Sequence, residues 1–392
     1  MKSFASKNKL LLKKHSRATK EKEISAIHPS GGELLAFHMS RHVGTPAKPA
    51  VSVGQKVSAG QIVGIGHGDF SLNIYCGVSG IVKEIRQFPT QKGMAEAVIV
   101  ESDGKMEKHP VQDSIENIDP SDLILKDFID IIKSAGVVSQ NLPVHTLLDE
   151  RAGSIKHFFV NTEDEPFCTA NYRLMAEKAD EIKAVTDLMK RLYDGANVIF
   201  SSNTSTVPGA VCLNLDALLA IHAAVFHGLP MTRRIITLAG GAVKNPGNYD
   251  ICLGALVSDI IKAAGGFSST PGKIVLGGAM TGFAIPDLNE AVSAKDAAIL
   301  AFDKGQSHQK DQMPCIRCGS CPAACPAALL PYSIAAMAAR REIADFEAAG
   351  GMNCLNCGAC SFVCPSKRHL THLIATAQEM SRHRAKEENN VR

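Results

Sequence analysis

Cys315-Ile-Arg-Cys318-Gly-Ser-Cys321-Pro-Ala-Ala-Cys325-Pro326, followed later by Cys354-Leu-Asn-Cys357-Gly-Ala-Cys360-Ser-Phe-Val-Cys364-Pro365, is the stretch on which the reading of this 392-residue chain turns. In each run three cysteines stand two residues apart, and a fourth follows immediately before a proline. A cubane iron–sulfur cluster needs one thiolate on each iron. Three closely spaced thiolates let one tight loop wrap three corners, and the proline stops the helix that would otherwise absorb the last cysteine. In chains with two such runs the fourth cysteine of each ligates the other cluster. The spacing therefore predicts one [4Fe-4S] cluster on Cys315, Cys318, Cys321 and Cys364, and a second on Cys354, Cys357, Cys360 and Cys325. Structural zinc also takes four cysteines, but usually as paired C-x-x-C knuckles separated by a longer gap. Three cysteines at one spacing, repeated twice, favour clusters.

Between the runs, Leu330, Ile334, Met337, Ile343 and Phe346 recur at helical spacing, and Gly350-Gly351 ends the pattern. One or two short amphipathic helices are expected, making residues 305–376 a helical two-cluster domain, with a charged tail over 377–392.

A chain of this length exceeds one ordinary core, so about two to four domains are expected. The net charge of +3 and the absence of tryptophan give no case for nucleic acid. Four further cysteines, Cys76, Cys168, Cys212 and Cys252, have no partner spacing and read as free, mostly buried thiols. Clusters of this kind belong to a reducing compartment, so a cytoplasm-facing protein is expected. The stretch Met1–Lys22 holds eight Lys or Arg against one Glu, with Leu10-Leu11-Leu12 as its apolar run. That is far short of the roughly 7–15 apolar residues of a secretory signal or the about 20 of a spanning helix. Residues 1–26 read as a basic tail, solvated or drawn to an anionic surface.

Residues 27–105 are rich in valine, isoleucine and glycine. Val51–Val57, Gln61–Gly64 and Gly80–Ile85 fit short strands bounded by turn residues. The arrangement resembles a barrel-sandwich hybrid, the lipoyl and biotinyl carrier fold. The corresponding tip, Phe70–Tyr75, has no lysine, which points to docking in place of a swinging arm. His28, His38 and His42 lack ligand spacing and read as ordinary surface or core residues. Residues 118–230 alternate helix and strand: helices over Leu123–Gly136, Asn171–Tyr193 and Asp216–Phe226, strands at Phe158–Asn161 and Val198–Phe200. A parallel sheet follows from that alternation. Residues 231–300 contain a strand, a turn at Asn245-Pro246-Gly247, a helix over Leu256–Ala264 and a strand at Lys273–Gly278, which together read as a β-grasp unit. Gly277–Gly282 is as compatible with a tight strand exit as with a phosphate cradle.

Taken together, Gly241-Ala-Val-Lys-Asn-Pro-Gly247, Gly277-Gly-Ala-Met-Thr-Gly282 and the two cysteine runs resemble the C subunit of the Rnf ion-translocating electron-transport complex, over about residues 27–378. The resemblance implies a multidomain α+β and α/β protein: barrel-sandwich hybrid, Rossmann-like flavoprotein domain, soluble-ligand-binding β-grasp (SLBB) and two-[4Fe-4S] ferredoxin domain. It also implies a peripheral protein on the cytoplasmic face of the bacterial inner membrane, with membrane Rnf subunits and ferredoxin as partners, passing electrons between NADH, FMN and the clusters. All eight cysteines match the family's cluster ligands.

The flavin side departs from the family. Its glycine-rich loop is replaced by Ser134-Ala-Gly136-Val-Val-Ser-Gln-Asn-Leu-Pro143-Val-His145, where a phosphate loses the close backbone approach that glycine permits. Of the acidic stretch that ends in Glu-Pro, Asn161-Thr-Glu163-Asp164-Glu165-Pro166 remains, with Glu163 and Glu165 as the candidate FMN residues. The departures count against FMN and NADH. Beside the reading as a member of an Rnf complex stand a non-enzymatic two-cluster relay that has lost both, and a soluble flavin-dependent NADH reductase.

Overall fold

The computed structural model describes residues 17–68, 70–90, 93–109, 119–139, 142–149, 155–201, 209–307 and 311–390. They divide into a larger unit, residues 17–278 with 283–306, and a smaller one, residues 279–282 with 307–390.

The larger unit begins with a β-sandwich built on one long hairpin. Strands Gly80–Thr90 and Gly93–Ser102 pair antiparallel from Gly80↔Ser102 to Thr90↔Gly93. Leu34–His38 adds to the hairpin's outer edge and Lys56–Val57 to the other. A second sheet, Lys48–Pro49, Ile62–Ile65 and Ile74–Tyr75, closes the sandwich. Leu35, Phe37, Val63, Ile74, Val82, Val98 and Val100 fill the space between them and are almost wholly buried. The histidines fit the ordinary reading: His38 hydrogen-bonds the Pro89 carbonyl, and His42 bonds Thr45 and Ser71.

Next comes a three-stranded parallel sheet, with His157–Asn161 between Asn197–Phe200 and Ala210–Asn214. Phe158 and Val160 point into a core completed by one face each of helices Leu125–Ser134, Ala179–Leu192 and Leu215–His227. The last of these ends at Gly228, which takes the left-handed conformation that closes a helix. A single helix is expected over Asn171–Tyr193. The structure breaks it at Lys178 into Ala170–Glu177 and Ala179–Leu192. Leu174 and Ile182 bury in one core across the break, so the apolar spacing runs on while the backbone does not.

The β-grasp sheet runs in the order Ser25–Ala26, Gly247–Cys252, Arg233–Ala239, Ala298–Phe302, Lys273–Leu276, Phe283–Ala284. Its helix Val257–Ala263 buries Val257, Ile260 and Ile261 in the same core as the sandwich. Part of the basic N-terminal stretch is built in: Arg17–Lys20 is one helical turn, and Ser25–Ala26 pairs in parallel with Tyr249–Asp250. Residues 1–16 of that stretch lie outside the described residues. Buried Thr19 is the anchor: its carbonyl accepts from Asn248 Nδ2 at 3.0 Å, and its hydroxyl accepts from Thr169 at 2.9 Å.

In the smaller unit, helices Pro331–Arg340 and Ile343–Ala348 fill the segment between the cysteine runs, with proline at the first helical position of the former. Ile334, Ala335, Phe346, Leu370, Ile374 and Ala377 form the core. The stretch 377–392, expected as a charged tail, carries helix Leu370–Asn390 almost to its end. Good helix formers and the Arg382–Glu379 pair, with Arg384 reaching Glu347, hold that extension. Among the described residues no helix is long and apolar enough to cross a membrane.

Candidate metal centre

The two cysteine runs fold as copies of one backbone design. Arg317 and Asn356, each just before the second cysteine, have φ of 51° and 52°. Gly319 and Gly358, just after it, have φ of 77° and 74°, and Ala328 and Lys367 both have 52°. The glycines open helices Ser320–Ala324 and Ala359–Val363. Each helix stops at its fourth cysteine, where Cys325 and Cys364 turn extended with ψ of 117° and 115°. The following proline demands that, since it disfavours the helical conformation in the residue before it. Alternating right- and left-handed residues aim successive amides to one side, a concavity suited to anionic sulfur.

Cys325 of the first run meets Cys354, Cys357 and Cys360 of the second in the wall of one cavity. It is small and otherwise mostly apolar, with Pro326, Leu329, Ile334 and Ile374 among its lining. Three of the second run's cysteines and the fourth of the first thus line one space. Cys315, Cys318 and Cys321 lie on the other run, the first two exposed. The start of that run is tied to the end of the second, because Met313 N donates to the Ser366 carbonyl at 3.0 Å and His369 N donates to Gln312 at 3.3 Å. Those bonds bring Cys315 and Cys364 to the same end of the unit.

The donor set is chemically apt. Leu329 N points at Cys325 Sγ (3.4 Å), Asn356 N at Cys354 Sγ (3.5 Å), and the Thr371 hydroxyl lies 3.4 Å from Cys360 Sγ. Burial pushes the Cys354 and Cys357 thiols up, so these sulfurs stay neutral until metal takes them as thiolates. Among the described residues no three His, Cys, Asp or Glu side chains converge on a point where a single ion would sit.

Two supporting residues, Gln378 and Thr371, carry no signal in the cysteine spacing. Gln378, 1 % exposed, donates from Nε2 to the carbonyls of Gly351 and Cys354, both at 3.0 Å, and accepts from Asn356 Nδ2 at 2.8 Å. Thr371 N donates to Ser361 Oγ at 2.9 Å, locking the start of helix Leu370–Asn390 onto the second run. A buried glutamine on one face of an amphipathic helix was the available clue.

Of the other candidates, Glu163 is exposed and Glu165 half-buried, on the loop after strand His157–Asn161 in the larger unit. Among the scattered cysteines, Cys76, Cys168 and Cys252 are buried and Cys212 is exposed.

Comparison with known proteins supplies three domain matches: the RnfC barrel sandwich hybrid domain over residues 7–105, the SLBB domain over 235–284, and a 4Fe-4S dicluster domain over 314–368. The chain is 30 % identical to the C subunit of the proton-translocating ferredoxin:NAD(+) oxidoreductase complex of Clostridium ljungdahlii, over 74 % of this chain and 75 % of that one. It is 29 % identical to the C subunit of the Na(+)-translocating ferredoxin:NAD(+) oxidoreductase complex of Acetobacterium woodii, over 91 % and 94 %. It is also 29 % identical to the C subunit of the ion-translocating oxidoreductase complex of Pseudomonas aeruginosa, over 76 % of this chain but 45 % of that longer protein.

Proposed function

The chain belongs to the RnfC family, the C subunits of Rnf ion-translocating oxidoreductase complexes, and from that premise we propose how its own residues serve electron transfer. It is an iron–sulfur electron-transfer subunit of such an enzyme complex. Each cluster, when bound, takes up and returns one electron. The chain supplies the cage: Cys315, Cys318, Cys321 and Cys364 for one cluster, and Cys354, Cys357, Cys360 and Cys325 for the other. The observation that carries this reading is the shared cavity of Cys325 with the three cysteines of the opposite run. Its apolar lining excludes water from the sulfurs, and the amides of Leu329 and Asn356 favour their charge.

The partners are membrane subunits of the complex, with ferredoxin on the electron-exchange side, as the relatives' names suggest for them. We place the chain peripherally, on the cytoplasmic face of the membrane. A reducing compartment preserves thiolate ligands, and among the described residues no helix is suited to span a bilayer. FMN and NADH are not part of this reading.

The test is anaerobic reconstitution of the full chain with iron and sulfide, followed by EPR after dithionite. Two [4Fe-4S] signals are expected; a protein that takes up none would overturn the assignment. Paired substitutions test the crossing. Cys325→Ser with Cys354→Ser removes two ligands of one cluster and leaves the other intact. Cys325→Ser with Cys315→Ser damages both. The opposite pattern means that each run holds its own cluster.

A further inference from the structure

A dinucleotide or flavin phosphate needs backbone amides left unbonded, at a glycine loop or a helix N-terminus. Among the described residues, two such places next to the parallel sheet are already used: the stretch that stands in for the glycine loop and the N-terminus of helix Ala170–Glu177. After helix Leu125–Ser134 the chain passes through Gly136, left-handed at φ 67°, into a hairpin of Val138–Ser139 with Leu142–Pro143. The Gly136 amide donates to the Lys133 carbonyl (3.1 Å), that of Val137 to Ile132 (3.2 Å), and that of Val144 to Val137 (3.0 Å). Pro143 has no amide to give. Val137, Val138, Ser139 and Val144 are buried, so these residues belong to the core.

The acidic loop is committed in the same way. Asp164 accepts from the amides of Asn171 and Tyr172, both at 2.9 Å, so the chain's own carboxylate occupies the N-terminus of helix Ala170–Glu177. The Glu163 carbonyl accepts from Asn171 Nδ2, and the Glu165 carbonyl from the Cys168 amide. Phe167 holds φ 70°, a conformation unusual for an aromatic residue, with its ring edge-on to Phe302 at 5.1 Å between centroids. The Glu165 carboxylate fills the space where a side chain at Gly278 would begin. The N-terminal segment completes the cover. The Lys20 ammonium stands 4.0 Å from the Tyr172 ring centroid and faces Asp164, and Arg173 donates to the Lys20 carbonyl at 3.5 Å.

We infer that the parallel-sheet region is sealed against FMN and NADH by the chain's own groups: Asp164 stands where a phosphate would bind the helix, and residues 17–20 lie beside it. The region is a scaffold, and electrons reach the cysteine unit from protein partners without a flavin held by this chain. This inference rests on the two-cluster reading above, and the experiment separates the two. The reconstituted full chain is titrated anaerobically with FMN, followed by flavin fluorescence, and then with NADH, followed by cluster EPR, with dithionite as the reference reductant. Expected are dithionite-reducible clusters, no saturable FMN binding, and clusters unchanged by NADH with or without added FMN. Clusters present together with saturable FMN binding or NADH-driven reduction overturn the sealing alone. No dithionite-reducible cluster overturns the reading on which it rests, and the FMN titration, which needs no cluster, still decides the sealing.

Discussion

Gln378 is the clamp on the second cysteine run: from helix Leu370–Asn390 its amide nitrogen reaches the Cys354 carbonyl at 3.0 Å, 24 positions back in the chain. The same side chain holds the Gly351 carbonyl and the Asn356 side-chain amide, so one glutamine sets the loop that carries two of the proposed ligands. Replacing it by alanine leaves buried groups unpaired at about 1–3 kcal/mol each. Gln378→Ala should lower iron content from about eight toward about four per chain, with the Cys354-side EPR signal lost first. Unchanged iron and unchanged EPR would show that the loop holds its shape without the clamp.

The Thr371 amide holds the helix start, whereas its hydroxyl faces a sulfur of the second run. Its hydroxyl lies 3.4 Å from Cys360 Sγ, and hydrogen bonds to ligating sulfur stabilise the more reduced, more negative cluster. Thr371→Val, nearly isosteric, should lower the midpoint potential of one cluster and leave the other where it is. A redox titration monitored by EPR reads both.

Asp216 and Arg234 form a buried pair in the larger unit, 2.9 Å apart with side chains 13 % and 5 % exposed. Burial raises the Asp216 carboxyl and Arg234 opposes that. Asp216→Ala strands a buried guanidinium and should cost about 3–5 kcal/mol, whereas Asp216→Ala with Arg234→Met should cost less. Denaturant midpoints of the three proteins check the order.

Burial pushes the Asp164 carboxyl up to about 6 from the ordinary 3.8, against the pull of its two amide donors. A carboxyl raised in the folded state contributes stability that is complete below its unfolded value and lost as pH rises through its folded value. Wild type should therefore lose stability relative to Asp164→Asn as pH climbs from about 4 through about 6, and level off above that. Parallel denaturation curves at pH 5 and pH 7.5 test this; equal differences at both would mean that Asp164 titrates normally.

The cysteine centre was legible because its information is local. Two residues between thiolates, a glycine after the second cysteine and a proline after the fourth act within one turn of chain, and Gly319, Gly358, Pro326 and Pro365 show them at work. Gln378 was not legible in the same way, since its partners lie 22 to 27 positions away and only the packing of helix Leu370–Asn390 brings them into reach. The break at Lys178 was hidden because Leu174 and Ile182 keep helical spacing across it. Thr19 sits in a run dense with lysine and arginine, which reads as a solvated tail. Its partner Thr169 is 150 positions on, and nothing in the neighbouring residues announces it.

Thr19 and Asn248 are joined across 229 positions, and Ser25–Ala26 takes its place only beside Tyr249–Asp250. On a ribosome the first of these segments emerges long before the second. The N-terminal segment must wait unseated through synthesis of the sandwich and the parallel sheet, and loop closure over such a span is slow. Seating it is therefore a late event in folding. A nascent chain released before Asn248 would keep that basic stretch and one sheet edge uncovered, the kind of surface on which incomplete chains aggregate.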